Sequence, residues 1–272
     1  MRILFLGDVM GRAGRRAVVD YLPDIKQRYR FDFVIVNGEN ASHGRGLTEK
    51  HFECLLDAGA DMVTLGDHAF DQRETFGVIA RDNRLLRPIN MSDAAPGRGA
   101  MLYDAPNGQR VLVINALGRV FMNPIEDPFF AVEKAIADCP LGEVADAIIL
   151  DFHAEATSEM QAMGQFLDGR ASLVVGTHTH IPTADHRVLK GGTGLMSDAG
   201  MCGDYDSVIG MDAEEPVNRF LTGLTRERFT PAEGSPSLCG VAIEADNRTG
   251  LCTSIQPLRV GGSIGQALPD FD

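Results

Sequence analysis

Short apolar runs of strand length, alternating with helix-like stretches, constrain the fold of this chain more than any other feature. The apolar runs cover residues 3–6, 33–36, 62–65, 111–114, 148–150 and 173–175. Their continuous apolar and β-branched content favours strands that are buried on both faces. The helix-like stretches cover residues 15–30, 48–58, 128–138 and 158–167. This alternation predicts an α/β fold in which helices cover the sheets.

Two further segments have the pattern of antiparallel hairpins. Residues 101–104 and 110–114 flank the turn dipeptide Asn107-Gly108, and residues 238–244 and 251–258 form a second pair. We therefore expect mixed β-sheets flanked by helices. The length suits one α/β domain, and no repeat or composition shift divides the chain, so we expect a single domain over residues 1–272.

Composition excludes several classes of protein. The hydrophobic fraction of 44% is typical of a packed core. No apolar run reaches the ~18 residues that cross a bilayer, and the N-terminus turns acidic too early for a signal peptide, so we expect no membrane association and a cytoplasmic protein. The five cysteines form no CxxC pair, which favours reduced thiols.

The net charge of −13 opposes direct binding to long nucleic acids or anionic membranes, because those partners reward clustered Lys and Arg. A compact anionic substrate remains compatible with this charge, since bound cations can reverse the local potential. A homo-oligomer is expected only on general grounds.

Polar side chains that can bind metal follow five of the expected strands. In chain order they are Asp8, Glu39, Asn40, Asp67, His68, His153, His178 and His180. In an open α/β sheet, ligands bind outside the carboxyl ends of the strands, so these groups should meet in one crevice. The sequence Gly-Thr-His-Thr-His should place two imidazoles on one side of an extended backbone. The pattern predicts a metal site.

These motifs resemble a known family. Gly7-Asp8, Gly38-Glu39-Asn40, Gly66-Asp67-His68, His153 and Gly176-Thr-His-Thr-His180 are similar to the ordered motif blocks of the calcineurin-like metallophosphoesterases. With Gly-Asp-Val-Met-Gly, Val-Asn-Gly-Glu-Asn-Ala, Asp-Phe-His-Ala-Glu and Ser-Asp-Ala-Gly-Met-Cys-Gly, the set resembles the YmdB-like branch more closely. That branch consists of bacterial phosphodiesterases active on cyclic nucleotides. The resemblance implies the calcineurin-like fold, with the site at strand carboxyl ends.

The chain departs from the wider superfamily at three positions. Met10 stands where a metal-binding His is usual, and Glu39 replaces the usual bridging Asp; both departures belong to the YmdB-like pattern. Asp67 stands where both superfamily and branch usually show Asn, which adds one negative charge beside the second metal.

The resemblance implies two metal sites that share one carboxylate. One ion would be surrounded by Asp8, Glu39, Asn40 and His180, and the other by Glu39, Asp67, His153 and His178. Oxygen and imidazole donors without thiolate suit manganese, iron or zinc, with iron favoured by the family.

The implied reaction is attack on a phosphate ester by a hydroxide that bridges the two ions, with His68 as proton donor to the leaving oxygen. Orientation of a metal ligand is the alternative role for His68. His43 and Arg45 could contact the substrate phosphate, although an exposed loop explains them equally well. The expected substrate is a small nucleotide phosphodiester, with 2′,3′-cyclic nucleotides the best guess.

The motifs are also compatible with other functions. A phosphomonoesterase or protein phosphatase would use similar bimetallic chemistry, and a non-enzymatic regulatory module could retain the fold. A dinucleotide oxidoreductase is disfavoured, because residues 7–14 lack the Gly-x-Gly-x-x-Gly spacing and Asp8 would lie beside the pyrophosphate.

Overall fold

Two mixed β-sheets form the framework of the protein, which a computed structural model describes over residues 1–271; Asp272, the end of the expected domain, lies outside this range. The strands are β1 (Arg2–Leu6), β2 (Phe33–Asn37), β3 (Met62–Thr64), β4 (Leu85–Leu86), β5 (Ala100–Asp104), β6 (Arg110–Leu117), β7 (Ala147–His153), β8 (Leu173–Thr177), β9 (Arg187–Val188), β10 (Gly194–Met196), β11 (Gly203–Asp204), β12 (Pro236–Ala245) and β13 (Cys252–Gly261). The helices are α1 (Gly11–Tyr29), α2 (Glu49–Asp57), α3 (Arg73–Arg81), α4 (Pro128–Asp138), α5 (Thr157–Phe166) and α6 (Glu214–Thr222).

Each sheet combines a run of parallel strands with antiparallel strands: at one side of the first sheet and at both edges of the second. The first has the order β11-β12-β1-β2-β3-β4, with β13 paired to β12; β1 to β4 are parallel, and β12 is antiparallel to β1. The second has the order β5-β6-β7-β8-β10-β9, in which β6, β7, β8 and β10 are parallel. The two expected hairpins are β5–β6 and β12–β13. The prediction of mixed sheets flanked by helices is confirmed.

Alternate side chains of the central strands enter two different cores. Leu4 and Leu6 of β1 pack under α1 and α2, whereas Ile3 and Phe5 pack between the two sheets. Helices α4 and α5 cover the outer face of the second sheet. The result is four layers, helix–sheet–sheet–helix, with both faces of each central strand buried. This double burial explains why the strand sequences are continuously apolar.

Helix α1 begins at Gly11, earlier than the predicted start at residue 15. A Cβ added at Gly14 would lie 2.2 Å from the carbonyl oxygen of Cys202, so close packing requires glycine inside this helix. The helix therefore follows almost directly on the loop that carries Asp8. Helices α3 and α6 are additional to those predicted. Within residues 1–271, no helix is long and apolar enough to cross a membrane.

Candidate metal centre

The expected ligands come from strand ends of both sheets. Asp8, Glu39 and Asp67 follow β1, β2 and β3 of the first sheet, while His153 ends β7 and His178 follows β8 of the second. Because the two sheets pack face to face, these strand ends meet at one edge of the sandwich. The tertiary structure thus brings together side chains that are far apart in the chain.

Four of these side chains form the tightest part of the site. The ligand atoms of Glu39, Asp67, His153 and His178 all lie within 4.8 Å of one another. Nε2 of His153 lies 3.3 Å from Oε1 of Glu39, 3.2 Å from Oδ1 of Asp67 and 3.0 Å from Nδ1 of His178. These are the four residues that the resemblance assigns to one ion.

The residues assigned to the other ion adjoin this cluster. Nε2 of His180 lies 3.2 Å from Oδ1 of Asn40, and both side chains are buried. Oδ2 of the fully buried Asp8 accepts a hydrogen bond from the backbone N–H of His178 at 3.1 Å. Oδ1 of Asp8 has no hydrogen-bond partner within residues 1–271. A buried carboxylate oxygen without a partner is costly, and a cation would compensate it.

The electrostatics of the cluster also fit a cation. Burial raises the pKa of Asp8 to about 7. Burial opposes a charge on His153, but Glu39 and Asp67 outweigh that effect and hold its pKa well above the usual value. Burial and the neighbouring His153 lower the pKa of His178 to about 4, so this imidazole is neutral at neutral pH. A proton on His153 therefore balances the buried carboxylates, and a metal ion would replace it.

The donor set and the space around it fit metal ions. Carboxylate, amide and imidazole donors without thiolate suit iron, manganese or zinc. A Cβ added at Gly66 would lie 2.1 Å from Oε2 of Glu39 and 2.5 Å from Nε2 of His153. Only glycine can precede Asp67 without entering the cluster.

His178 and His180 do not lie on an extended backbone, so that part of the sequence prediction is wrong. Strand β8 ends at Thr177, and φ is 101° at His178 and 68° at His180. The two left-handed residues direct His178 to His153 and Asp67, and His180 to Asn40. Such conformations cost on the order of 1–3 kcal/mol each and persist only where the surroundings hold them.

Asp198 holds this turn and was missed by the sequence prediction. Its Oδ2 accepts hydrogen bonds from the backbone N–H and the hydroxyl of Thr179, at 2.9 and 2.8 Å, and its Oδ1 accepts from Gly200 N–H at 2.7 Å. The signal was present in the Ser-Asp-Ala-Gly motif, but spacing along the chain does not reveal which backbone groups an aspartate binds.

A buried relay beneath the centre fixes the orientation of His153. The Thr177 hydroxyl donates to Oδ1 of Asp151 at 2.7 Å, and having only one proton it must accept at 2.8 Å from Nδ1–H of His153. Nε2 is therefore the nitrogen that faces the cluster. Asp151 also accepts from Asn37 and Thr64, at 2.9 and 2.5 Å. A charged residue inside an apolar strand could have revealed this relay, because a buried carboxylate requires donors.

His68 lies at the rim of the cluster. Its backbone N–H donates to Oε2 of Glu39 at 3.3 Å, and its Nδ1 lies 3.1 Å from Oδ2 of Asp71. Because Asp71 engages Nδ1, Nε2 is the atom available for proton transfer. The sequence prediction missed Asp71, whose position three residues after His68 gave no signal by itself.

The cluster opens into a groove of about 1550 Å³, to which the predicted substrate residues contribute. His43 is exposed and has a left-handed backbone, with φ of 57°. Nε of Arg45 lies 3.2 Å from Oδ2 of Asp71, so this guanidinium is already paired. Glu155, from the Asp-Phe-His-Ala-Glu motif, also lines the groove, with Oε2 3.4 Å from Nε2 of His178.

Comparisons with known proteins agree with this architecture. The sequence profile described as YmdB-like protein matches residues 4–258. A 2′,3′-cyclic-nucleotide 2′-phosphodiesterase of Bacillus subtilis is 46% identical over 260 residues, which cover 96% of this chain and 97% of that protein.

Two solved structures share the fold over nearly their whole length. A hypothetical protein from Thermus thermophilus matches with a TM-score of 0.89 and 40% identity, covering 97% of this chain and 100% of that one. A novel phosphatase from Mycoplasma pneumoniae matches with a TM-score of 0.88 and 34% identity, covering 96% and 93%. The predicted metallophosphoesterase fold is confirmed. The chain therefore belongs to the YmdB-like family.

Proposed function

We propose that this protein is a dinuclear metal-dependent phosphodiesterase that hydrolyses small nucleotide phosphodiesters, with 2′,3′-cyclic nucleotides as the best substrates. The observation that carries the proposal is the convergence of Glu39, Asp67, His153 and His178 within 4.8 Å at the end of a groove. The B. subtilis relative is named for activity on 2′,3′-cyclic nucleotides, which supports the choice of substrate.

The two ions would share Glu39. Asp8, Asn40 and His180 would complete one set of ligands, and Asp67, His153 and His178 would complete the other. When bound, the ions supply Lewis acidity for the phosphate oxygens and lower the pKa of a water molecule that attacks phosphorus. Iron is the favoured metal, and manganese or zinc suits the same donors.

His68 acts as the proton donor in this proposal. Its backbone is tied to Oε2 of Glu39, so the imidazole is positioned relative to the carboxylate that both ions share. Asp71 contacts Nδ1 and orients the imidazole, which leaves Nε2–H to protonate the leaving oxygen. Arg45 pairs with the same Asp71 and so helps to hold that carboxylate in place.

The charge of the site favours a diester. Asp8, Glu39 and Asp67 bring three carboxylates against two divalent ions, which leaves about one positive charge, or none once hydroxide binds. A diester adds only one negative charge to this site. A monoester dianion would leave excess negative charge beside Asp67.

The test compares kcat/KM for 2′,3′-cyclic AMP, 3′,5′-cyclic AMP, AMP and a phosphopeptide, with the same concentration of Mn²⁺ or Fe²⁺ in every assay. We expect 2′,3′-cyclic AMP to be hydrolysed best and turnover to require metal. Since five-membered cyclic diesters are strained, the ranking must hold after each rate is divided by the rate without enzyme. A clear preference for AMP or the phosphopeptide would contradict the diesterase assignment.

A further inference from the structure

The wall of the groove around α6 is attached directly to the candidate metal centre. Nδ1–H of His180 donates to the carbonyl oxygen of Ile209 at 2.7 Å. Three residues later, Asp212 N–H donates to the carbonyl oxygen of Thr230 at 2.8 Å, which brings Phe229 back beside the start of this segment. We call the groove-lining part of residues 208–229 the α6 wall. One hydrogen bond thus links this wall to a metal-ligand candidate.

The α6 wall contains a stacked arginine–phenylalanine pair. The guanidinium carbon of Arg219 lies 3.8 Å from the ring centroid of Phe229. Nε of Arg219 contacts Oε1 of Glu215 at 2.6 Å, and its Nη2 donates to the carbonyl oxygen of Glu227 at 2.6 Å. These contacts hold the guanidinium plane in one orientation, so the pair is organised before any ligand binds.

Phe220 gives the wall a second aromatic face. Its side chain is 89% exposed and Phe229 is 44% exposed, and both line the groove that also contains Glu39 and His68. Leu221, also on α6, is 80% exposed but does not line the groove. The exposed aromatic rings are therefore directed to the same space as the catalytic candidates.

The groove is much larger than a phosphate group. Its volume of about 1550 Å³ leaves room for the rest of a ligand whose phosphate lies at the metal cluster. Aromatic rings and guanidinium planes bind flat heteroaromatic rings by stacking, and this stacking depends little on which nucleobase is bound. Arg228 lines the same space and has no ion pair within residues 1–271, so its donors are available to acceptors on a base edge.

We propose that the α6 wall is the nucleobase subsite of this enzyme, in which Phe220 and the Phe229–Arg219 pair stack against the base of a nucleotide whose phosphate lies at the metal centre. The inference rests on the proposed function, since it takes a nucleotide as the substrate. It assigns specificity to α6 and leaves the chemical step to the metal cluster. Purine nucleotides should bind more tightly than pyrimidine nucleotides, because the larger ring covers more of the wall.

The experiment measures equilibrium binding of 3′-AMP and of glycerol 2-phosphate to the Mn²⁺-loaded protein by calorimetry. Phe220→Ala should weaken binding of 3′-AMP about 5- to 100-fold, the range for loss of one base–aromatic contact, and leave binding of glycerol 2-phosphate unchanged. Leu221→Ala is the matched control, and it should bind both ligands as the wild type does. In turnover, Phe220→Ala should raise KM for 2′,3′-cyclic AMP with little change in kcat, and should not affect glycerol 1,2-cyclic phosphate.

The inference is overturned if Phe220→Ala and Phe229→Ala both bind 3′-AMP as tightly as the wild type. An equal loss of affinity for both ligands would overturn it as well, because stacking acts only on the base. If the wild type hydrolyses 2′,3′-cyclic AMP but Phe220→Ala and Phe229→Ala both bind 3′-AMP as the wild type does, only the subsite fails. If binding of 3′-AMP depends on Phe220 but no cyclic diester is hydrolysed, the subsite stands and the proposed function fails.

Discussion

Replacing Thr177 by valine removes one hydroxyl beneath the candidate metal centre while keeping a β-branched side chain of similar shape. The residue is fully buried, so no solvent is at hand to replace the hydroxyl. Its oxygen donates to Asp151 at 2.7 Å and accepts from His153 Nδ1 at 2.8 Å. In Thr177→Val, Asp151 keeps its bonds from Asn37 and Thr64, whereas Nδ1–H of His153 loses its acceptor.

The expected losses follow from those two bonds. A hydrogen bond to a charged group contributes about 1.5–3 kcal/mol, and a buried donor left without a partner costs about 1–3 kcal/mol. We expect the free energy of unfolding to fall by about 2.5–6 kcal/mol, taking the two effects together. Loss of the group that orients a ligating imidazole lowers metal affinity about 10- to 100-fold. That range corresponds to roughly 1.4–2.7 kcal/mol of binding free energy.

Metal affinity is measured by titrating Mn²⁺ against a competing chelator, at a temperature where circular dichroism shows both proteins folded. Thr177→Ser keeps the hydroxyl and should retain most of the affinity. Nitrogen NMR of the Zn²⁺-loaded protein reports the tautomer, and wild-type His153 should carry its proton on Nδ1. If Thr177→Val binds metal as tightly as the wild type and His153 keeps the same tautomer, the proposed relay through Thr177 is refuted.

Other perturbations test the shared carboxylate, the proton donor and the coupling of metal to pH. Glu39→Gln should deplete both ions together, because one carboxylate adjoins both sets of ligands; metal analysis showing loss of a single ion would contradict this. His68→Ala should reduce turnover about 10²–10⁴-fold for a poor leaving group and much less for nitrophenolate, with metal content unchanged. Equal losses with depleted metal would indicate an orienting role instead. The rise in Tm on adding Mn²⁺ should increase between about pH 6 and 8. Burial raises the pKa of Asp8 to about 7, and the carboxylates raise that of His153, so these protons stabilise the metal-free protein at low pH. That contribution is lost as pH rises through the raised pKa values, and bound metal then stabilises the carboxylates instead. A Tm shift that does not change with pH would be inconsistent with this linkage.

The central strands could be predicted because their environment is uniform. Residues such as Ile3 and Leu4 enter different cores, yet both cores are apolar, so the strand is apolar throughout. The start of α1 could not be predicted. Gly14 has poor helix propensity, and its place in the helix follows from contact with the Cys202 carbonyl.

Helix α6 escaped prediction for a different reason. Its buried residues are Pro216 and Asn218, whereas Val217, Phe220 and Leu221, which have helical spacing, are exposed. The apolar stripe of this helix therefore does not pack on the core. The Glu215–Arg219 pair contributes to the helix, and such pairs are common on many surfaces. The role that we propose for this helix rests on the stacking of Arg219 on Phe229 and on the groove that both residues line.

For the site, the sequence by itself determined which chemical groups stand at the strand ends, because strand period and the polar residues that follow are local features. Asp8, Glu39, Asp67, His153 and His178 could be named without coordinates for that reason. Only the tertiary structure decided which nitrogen atom of each imidazole faces the cluster and which residues hold the ring in that orientation. Asp151, Asp198 and Asp71 act through hydrogen bonds and close contacts with particular partners, such as the bond from Asn37 to Asp151 across 114 positions of the chain. Contacts between residues so far apart in the chain depend on how the two sheets pack against each other, and no local sequence pattern specifies that packing.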